Sequence, residues 1–517
     1  MANRSLFGSL VERFVSRPVV RNEAGGRAYA RTSAEALAQY VATGCFNATF
    51  YAGADAQLER VLQLSKGLPP EFLAKAAVYG RERGRMKDMP ALLMAVLAAR
   101  DVAQMERIFP RVIDTPRMLR TYVQMVRSGV TGRQSFGTVS RRAIRGWFDR
   151  RSDEAVFAAS VGNDPSLADI VRMVHPKPSA PSRAALYGFL LGRDVDRAAL
   201  PPVVTQFEAF KAGDRATVPD VPFQMLTALD LGRAEWCEIA RHASWQMTRM
   251  NLNTFARHGV FEEAGLTDLI ASRLVDPGAI ARAGVMPYQL LAAHRAADAA
   301  VPGRVRGALE DALELALANV PAVEGQVFIC PDVSGSMRSP VTGRRAGATT
   351  AVRCVDVAAL VAAAILRKNP TAGVLPFEED VVDVRLSPRD TVMTNADRLA
   401  AVGGGGTSVS APLARLNERR AEGDLVVIIS DNQSWVDAKW AFETATINEW
   451  EVFRRRNPGA RLALIDIQPS STTQAVERDD ILNIGGFSDH VFDLLADFAA
   501  GRMERGHWVG AIEAVAL

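Results

Sequence analysis

At 517 residues the chain is longer than one core usually organises, and 48% hydrophobic with 23% charged residues argues against a disordered or a membrane class. The formal net charge of +3 hides an asymmetry: residues 1–320 carry 41 Lys and Arg against 32 Asp and Glu, the remainder 20 against 26, and residues 1–151 alone 25 against 12. A basic N-terminal third makes nucleic acid or acidic lipid a candidate partner, with a merely solvated charged face as the alternative.

The N-terminus, with Arg4 and Glu12 around Leu6 and Phe7, lacks the continuous apolar core of a secretion signal. From there to residue 320, apolar residues recurring at three and four predict short amphipathic helices, for example over 35–41, 54–64, 71–83 and 90–99. Turn residues at Gly67 to Pro70, Gly129 to Gly132, Gly162 to Pro165 and Pro176 to Pro181 leave connections of a few residues, so neighbouring helices run antiparallel. Strand signals are nearly missing from this half. Such a succession suits a degenerate helical solenoid, although an irregular bundle fits almost as well.

Past residue 325 the period changes. Short β-branched or leucine-rich runs at 327–330, 425–430 and 462–467 alternate with helical stretches at 355–367, 411–420 and 438–455, which predicts a mostly parallel sheet covered on both faces. The longest apolar run, Val355 to Leu366, is interrupted by Asp356 and is read as a buried helix, so no membrane span is expected. Cys45, Cys237, Cys330 and Cys354 are too far apart for a metal knuckle or redox pair. Reduced thiols and a cytoplasmic location are expected. The expected division is 1–320 and 321–517.

The chemistry concentrates in Asp332-Val-Ser334-Gly-Ser336, directly after the first apolar strand of the second half. The carboxyl end of a strand in an α/β sheet is where ligands bind, and one carboxylate with two hydroxyls along a turn offers oxygen ligands to a hard cation. Serine-rich turns also arise as plain helix caps. Thr407, after Gly403-Gly-Gly-Gly406, and Asp431, at the end of the 425–430 strand, complete the set. An all-oxygen shell favours Mg²⁺, with Mn²⁺ or Ca²⁺ as alternatives.

These five residues, in this order, resemble the metal-ion-dependent adhesion site of von Willebrand factor A domains, over about residues 326 to 500. The resemblance implies that Ser334, Ser336 and Thr407 bind the ion directly, that Asp332 and Asp431 hold its waters, and that one position stays open for an acidic partner group. A domains serve unrelated functions, so the helical half has to decide. Arg21 to Gly26 with Tyr29, Thr49-Phe-Tyr51, Asp88 to Leu93, Ser140 to Arg145 with Trp147, His175-Pro-Lys-Pro178, Ala283 to Tyr288, Val301-Pro302 and Gly485-Gly-Phe487 look like landmarks of the TROVE module of Ro autoantigen (Ro60-like) proteins.

That resemblance, spanning nearly the whole chain, implies a multidomain protein: an all-α ring of HEAT-like helical repeats joined by an α/β, Rossmann-like von Willebrand factor A domain. It further implies a noncatalytic RNA-binding protein of RNA quality control. Single-stranded 3′ ends of misfolded RNAs would enter the ring, a Y-like noncoding RNA would sit on the outer basic surface, and an exoribonuclease such as polynucleotide phosphorylase would be a partner of a monomeric chain. Arg172, His175 and Lys177 fall in the family's RNA-facing loop. Arg141, Arg142 and Arg145 share a helix face suited to phosphate, with Trp147 and Phe148 read as core. Arg81, Arg83, Arg85 and Lys87 form a second basic run at a helix end, where cations also offset the dipole. Thr248-Arg-Met-Asn-Leu252 departs from the family's Leu-Leu-Arg-Asn-Leu run, moving the arginine to Arg249 and putting its contact in doubt. A metal-dependent protein–protein adaptor is the competing function. Hydrolytic chemistry is disfavoured, because the chain shows no paired-carboxylate two-metal cluster, no Gly-Lys-Ser/Thr phosphate loop and only six scattered histidines.

Overall fold

The computed structural model describes residues 19–22, 25–43, 54–215, 217–283, 285, 287–341, 352–431, 433–434, 444–476, 478–486, 490–503 and 507–517. Cys45, the Thr49–Tyr51 landmark, the N-terminal segment through residue 18, residues 342–351 of the loop after the serine motif, and 438–443 of the expected last helix lie outside them, as do Glu23, Ala24, Gly284, Met286, Trp435 and Phe487. The chain forms two compact units, one comprising Leu68–Asn319 with the last residues Val515–Leu517, the other the chain before Leu68 together with Val320 to Ala514.

In the helical unit, Pro70–Glu82 packs on Asp88–Arg100 and Val102–Val112, Val102–Val112 packs in turn on Thr138–Asp149, and Asp88–Arg100 packs on Pro116–Arg127. The same near-neighbour pattern resumes where Leu266–Leu274 and Pro287–Ala296 both pack on Gly303–Ala316. Packing between elements close along the chain is the signature of a solenoid rather than of an irregular bundle. Burial follows the apolar pattern. Asp88–Arg100 is buried continuously from Met89 to Ala98 and is apolar all round, whereas Pro116–Arg127 buries one stripe, Met118, Leu119, Tyr122, Val123 and Val126. Thr115 caps that second helix by accepting from the Met118 N–H, with Pro116 at its first position. Trp147 and Phe148 are fully buried, as core residues should be. Arg107 and Arg111 hold the carbonyls of Leu517 and Ala516 at 2.7 and 2.5 Å.

The α/β unit is built on five parallel strands in the order β4-β3-β5-β6-β8: β3 (Val327–Pro331), β4 (Gly373–Val374), β5 (Leu425–Ser430), β6 (Arg461–Asp466) and β8 (Ile481–Gly485). The buried helix expected over 355–366 is Cys354–Lys368, covered from Cys354 to Leu366. No helix among the described residues is long and apolar enough to cross a membrane. From β3 the chain crosses to β4 on one side and then to β5 on the other. The order therefore reverses at β3 and β5, and it is at the carboxyl ends of such a switch point that ligands bind in α/β sheets.

Sequence patterning missed a second, antiparallel sheet in this unit: β1 (Val19–Arg21), β2 (Arg27–Ala30) and β7 (Thr472–Thr473). Through it, Tyr29 joins the core cluster of Leu464, Ile481 and Trp450. Residue 320 is where the chain enters the α/β unit, and the unit also takes in the residues before Leu68. The physical reasons are this strand pairing and the buried ion pair of Arg31 with Asp466.

Candidate metal centre

Asp332 follows β3 directly and Asp431 follows β5, so both carboxylates stand at the strand ends where the sheet order reverses. The Asp332 N–H donates to the Ile429 carbonyl at 2.8 Å, which ties the two strand ends together. Asp332 is oriented at both oxygens: Oδ1 accepts from the Ser334 N–H at 2.8 Å, and Oδ2 accepts from the Ser430 hydroxyl at 2.6 Å. Those bonds leave Ser334 and Ser336 to turn their hydroxyls to within 3.3 Å of each other. The glycine-rich loop closes over this turn, with the Gly335 N–H donating to Gly405 O at 2.9 Å, and delivers the buried Thr407.

Space explains the glycines. A Cβ on Gly335 would lie 2.9 Å from the Gly404 carbonyl, and one on Gly403, whose φ is +76°, would collide with the Val333 carbonyl. Gly403→Ala is expected to lower stability by roughly 1–3 kcal/mol and weaken ion binding, measured by denaturant unfolding and ion titration of the same preparation.

Asp332, Ser334, Ser336, Thr407 and Asp431 are all buried. Burial pushes the Asp332 and Asp431 carboxyls above the ordinary range, and the charge on Asp431 raises Asp332 further. Ser336 and the Gln433 amide favour ionised Asp431, yet neither of its oxygens has a hydrogen bond of normal geometry among the described residues. A buried carboxylate with both oxygens open requires a proton or a cation, and the surrounding hydroxyls supply the remaining oxygen ligands. These residues therefore fit a hard divalent ion. No trio of His, Cys, Asp or Glu among the described residues forms a metal cluster, so an ion here would depend on the two carboxylates and the hydroxyls. Cys237, Cys330 and Cys354 are buried free thiols.

Two neighbours, Arg338 and Arg353, delimit the arginine-rich loop that follows the metal motif in the sequence, whereas Glu378 carried no sequence signal. Arg338 donates to the Gly403 carbonyl at 2.9 Å and steadies the loop. Glu378 accepts from the Gly405 N–H at 2.7 Å. Arg353 pairs with Asp356 at 2.7 Å, at the start of the covering helix. Ser430 was visible only as the residue before Asp431; its strand-end position next to Asp332 is the hint that could have found it.

The basic residues of the helical unit separate into two groups. Arg81 is held bidentately by Asp114 at 2.9 and 2.7 Å, Arg142 by Glu106 at 2.5 and 2.6 Å, Arg172 by Asp169 at 3.0 Å, and Arg145 donates to the Val174 carbonyl at 2.5 Å. Arg249 turns inward, donating to the Gln289 carbonyl at 2.8 Å with its Nε buried and unpartnered. Through that bond it joins two helices. Arg83, Arg141, His175 and Lys177 are exposed, and their side chains make no hydrogen bond or ion pair among the described residues. Arg85 is exposed at φ +53°. Burial lowers the Lys87 ammonium, and the neighbouring Arg117 and Arg81 lower it further, a sign of crowded positive charge. His175 caps its helix in the left-handed conformation, φ +50° and ψ 63°, with its side chain exposed.

Residues 326–499 match the family model described as the Ro60 vWA domain. The sequence is 24% identical over 522 residues, 94% of this chain and 96% of the relative, to the RNA-binding protein RO60 of Deinococcus radiodurans. The crystal structure of the Deinococcus radiodurans RO (RSR) protein matches with a TM-score of 0.61 at 22% identity, covering 91% of this chain and 100% of that one. The fold expectation, a helical-repeat part with a von Willebrand factor A domain, is borne out.

Proposed function

Because its likeness to Ro60 proteins runs through both units and not the A domain alone, we propose that this chain is a noncatalytic RNA-binding protein of the Ro type. That full-length likeness is the observation that carries the reading. The charge distribution supports it independently, since Arg83, Arg141, His175 and Lys177 are exposed in the helical unit and their side chains make no hydrogen bond or ion pair among the described residues. Arg141 and Lys177 meet phosphates, and His175 presents its ring to an unstacked base or a sugar. The RNA class is single-stranded 3′ ends of misfolded RNAs, with a Y-like noncoding RNA on the basic surface and an exoribonuclease as partner, acting in the cytosol from a monomeric chain.

In the α/β unit, Asp332, Asp431, Ser334, Ser336 and Thr407 hold Mg²⁺ or a similar ion, which when bound offers an electrophilic position to an acidic group. Ser430 and the Ser334 N–H keep Asp332 aimed, and Arg338 keeps the glycine loop closed. Filter binding of RNA with a single-stranded 3′ extension against blunt duplex tests the main reading. Preference for the extension and a steep loss of affinity between about 50 and 200 mM salt are expected; equal, salt-insensitive binding would sink it.

A further inference from the structure

We infer that residues 19–22 and 25–31, far from the metal motif in sequence, form a clamp that positions the ion site by gripping Gln433 and Ser434, just beyond Asp431. The inference rests on the ion reading above and adds residues that no part of the A-domain motif contains. Asn22 is buried and used at both ends. Its Oδ1 accepts from the Gly26 N–H at 2.8 Å, closing the turn between β1 and β2, and its Nδ2 donates to the Ser434 carbonyl at 2.7 Å across 412 residues of sequence. Ser434 then reaches the glycine-rich loop: its Oγ accepts from the Val409 N–H at 3.1 Å and donates to the Thr407 carbonyl at 3.4 Å. Gln433 is held from the other end of the same segment. Its Nε2 donates to Ser470 Oγ at 3.2 Å, Ser470 bonds Thr472 at 3.2 Å, and the Thr472 carbonyl accepts from Arg31 Nε at 3.1 Å.

Arg31 closes the clamp by its buried ion pair with Asp466, the carboxylate at the end of β6, and by donating its N–H to the Ser471 carbonyl at 3.0 Å. Asp466 is raised by burial and then by the charge of Asp431, while Arg31 opposes both. Through Ser434 the segment thus reaches the backbone from Thr407 to Val409, it holds Gln433 and Ser434 just beyond Asp431, and it supplies the cation paired with the strand-end carboxylate Asp466. Asn22 and Arg31 are positioning residues, since neither is among the residues that would hold the ion.

Positioning energy is reciprocal: if the clamp favours ion binding, the ion must favour the clamp by the same factor. The test uses the full chain and Mn²⁺. Asn22→Asp keeps the acceptor for the Gly26 N–H but sets an oxygen against the Ser434 carbonyl, and should weaken Mn²⁺ binding about tenfold by titration calorimetry, with Asn22→Leu weakening it at least as much. In the unmodified chain, Mn²⁺ should slow amide exchange in residues 25–31 and 430–434, a response a purely structural role does not give. Variants that bind Mn²⁺ like the parent, or exchange in 25–31 that ignores the ion, overturn the clamp while leaving the ion site standing. A parent chain that binds no divalent ion overturns the ion reading and the clamp with it. Should both variants misfold, the exchange measurement on the parent decides alone.

Discussion

Asp431→Asn is expected to abolish divalent-ion binding, by about 100-fold or more, while leaving the ion-free protein as stable as its parent or more so. Most substitutions at a fully buried polar position destabilise, so the sign is diagnostic. Asp431 is buried with two unsatisfied oxygens and its charge raises Asp332. Removing that charge without changing shape relieves the ion-free fold and removes a principal anchor of the ion. In the parent chain, an ion at 100 times its dissociation constant adds about 2.7 kcal/mol of stability, and the variant should show none of it.

The pH dependence gives an independent check. Asp332 and Asp431 are held above their ordinary 3.8, and Asp466 is lifted to about 7. A carboxyl raised in the folded state keeps a proton that the unfolded chain has lost, so stability falls as pH rises from about 4 toward 7. Carboxylates that arginines or caps hold low, Glu82, Glu106, Asp169 and Asp480, act below that window with the opposite sign. In chelator, the parent should therefore melt lower at pH 7.5 than at pH 5.5. Saturating Mg²⁺, which binds the ionised carboxylates, should flatten or reverse the slope, and Asp431→Asn should reduce it. A parent melting temperature that rises across this range in chelator would contradict the burial that holds these carboxyls above their ordinary range.

The candidate metal centre was legible because its residues lie in short segments at strand ends: Asp332, Ser334 and Ser336 in one turn, Thr407 after four glycines, Asp431 after an apolar run. Period fixes such strands, and topology places their carboxyl ends together. The N-terminal hairpin was not legible. Val19–Arg21 and Arg27–Ala30 are only three and four residues long, too short for an alternating pattern, and they are strands because Thr472–Thr473 offers them an edge. Arg31 likewise looks like any surface arginine until Asp466 is placed beside it. Local pattern reports an element's own face, whereas pairing over more than 400 residues is decided by tertiary packing alone. The same limit applies to the basic residues. Spacing put Arg141, Arg142 and Arg145 on one helix, but could not show that Glu106 and the Val174 carbonyl engage two of them.

That division among the arginines makes the RNA surface testable by its salt dependence. Arg83→Gln, Arg141→Gln and Lys177→Gln together should lower affinity for a single-stranded 3′-extended RNA by about 10- to 100-fold near 0.1 M salt. They should also reduce the slope of log affinity against log salt by about 2, since each lost phosphate contact on a single strand removes about 0.7. His175→Ala should reduce the preference for extended over blunt RNA with little change in slope, because stacking or a sugar contact releases no counterion. Arg249→Ala supplies the contrast. It removes the bond to the Gln289 carbonyl and should lower the melting temperature without changing the salt slope. If all three sets shifted the slope alike, the effect would be one of net charge at a distance, and the separation of ligand-facing from helix-joining arginines would be wrong.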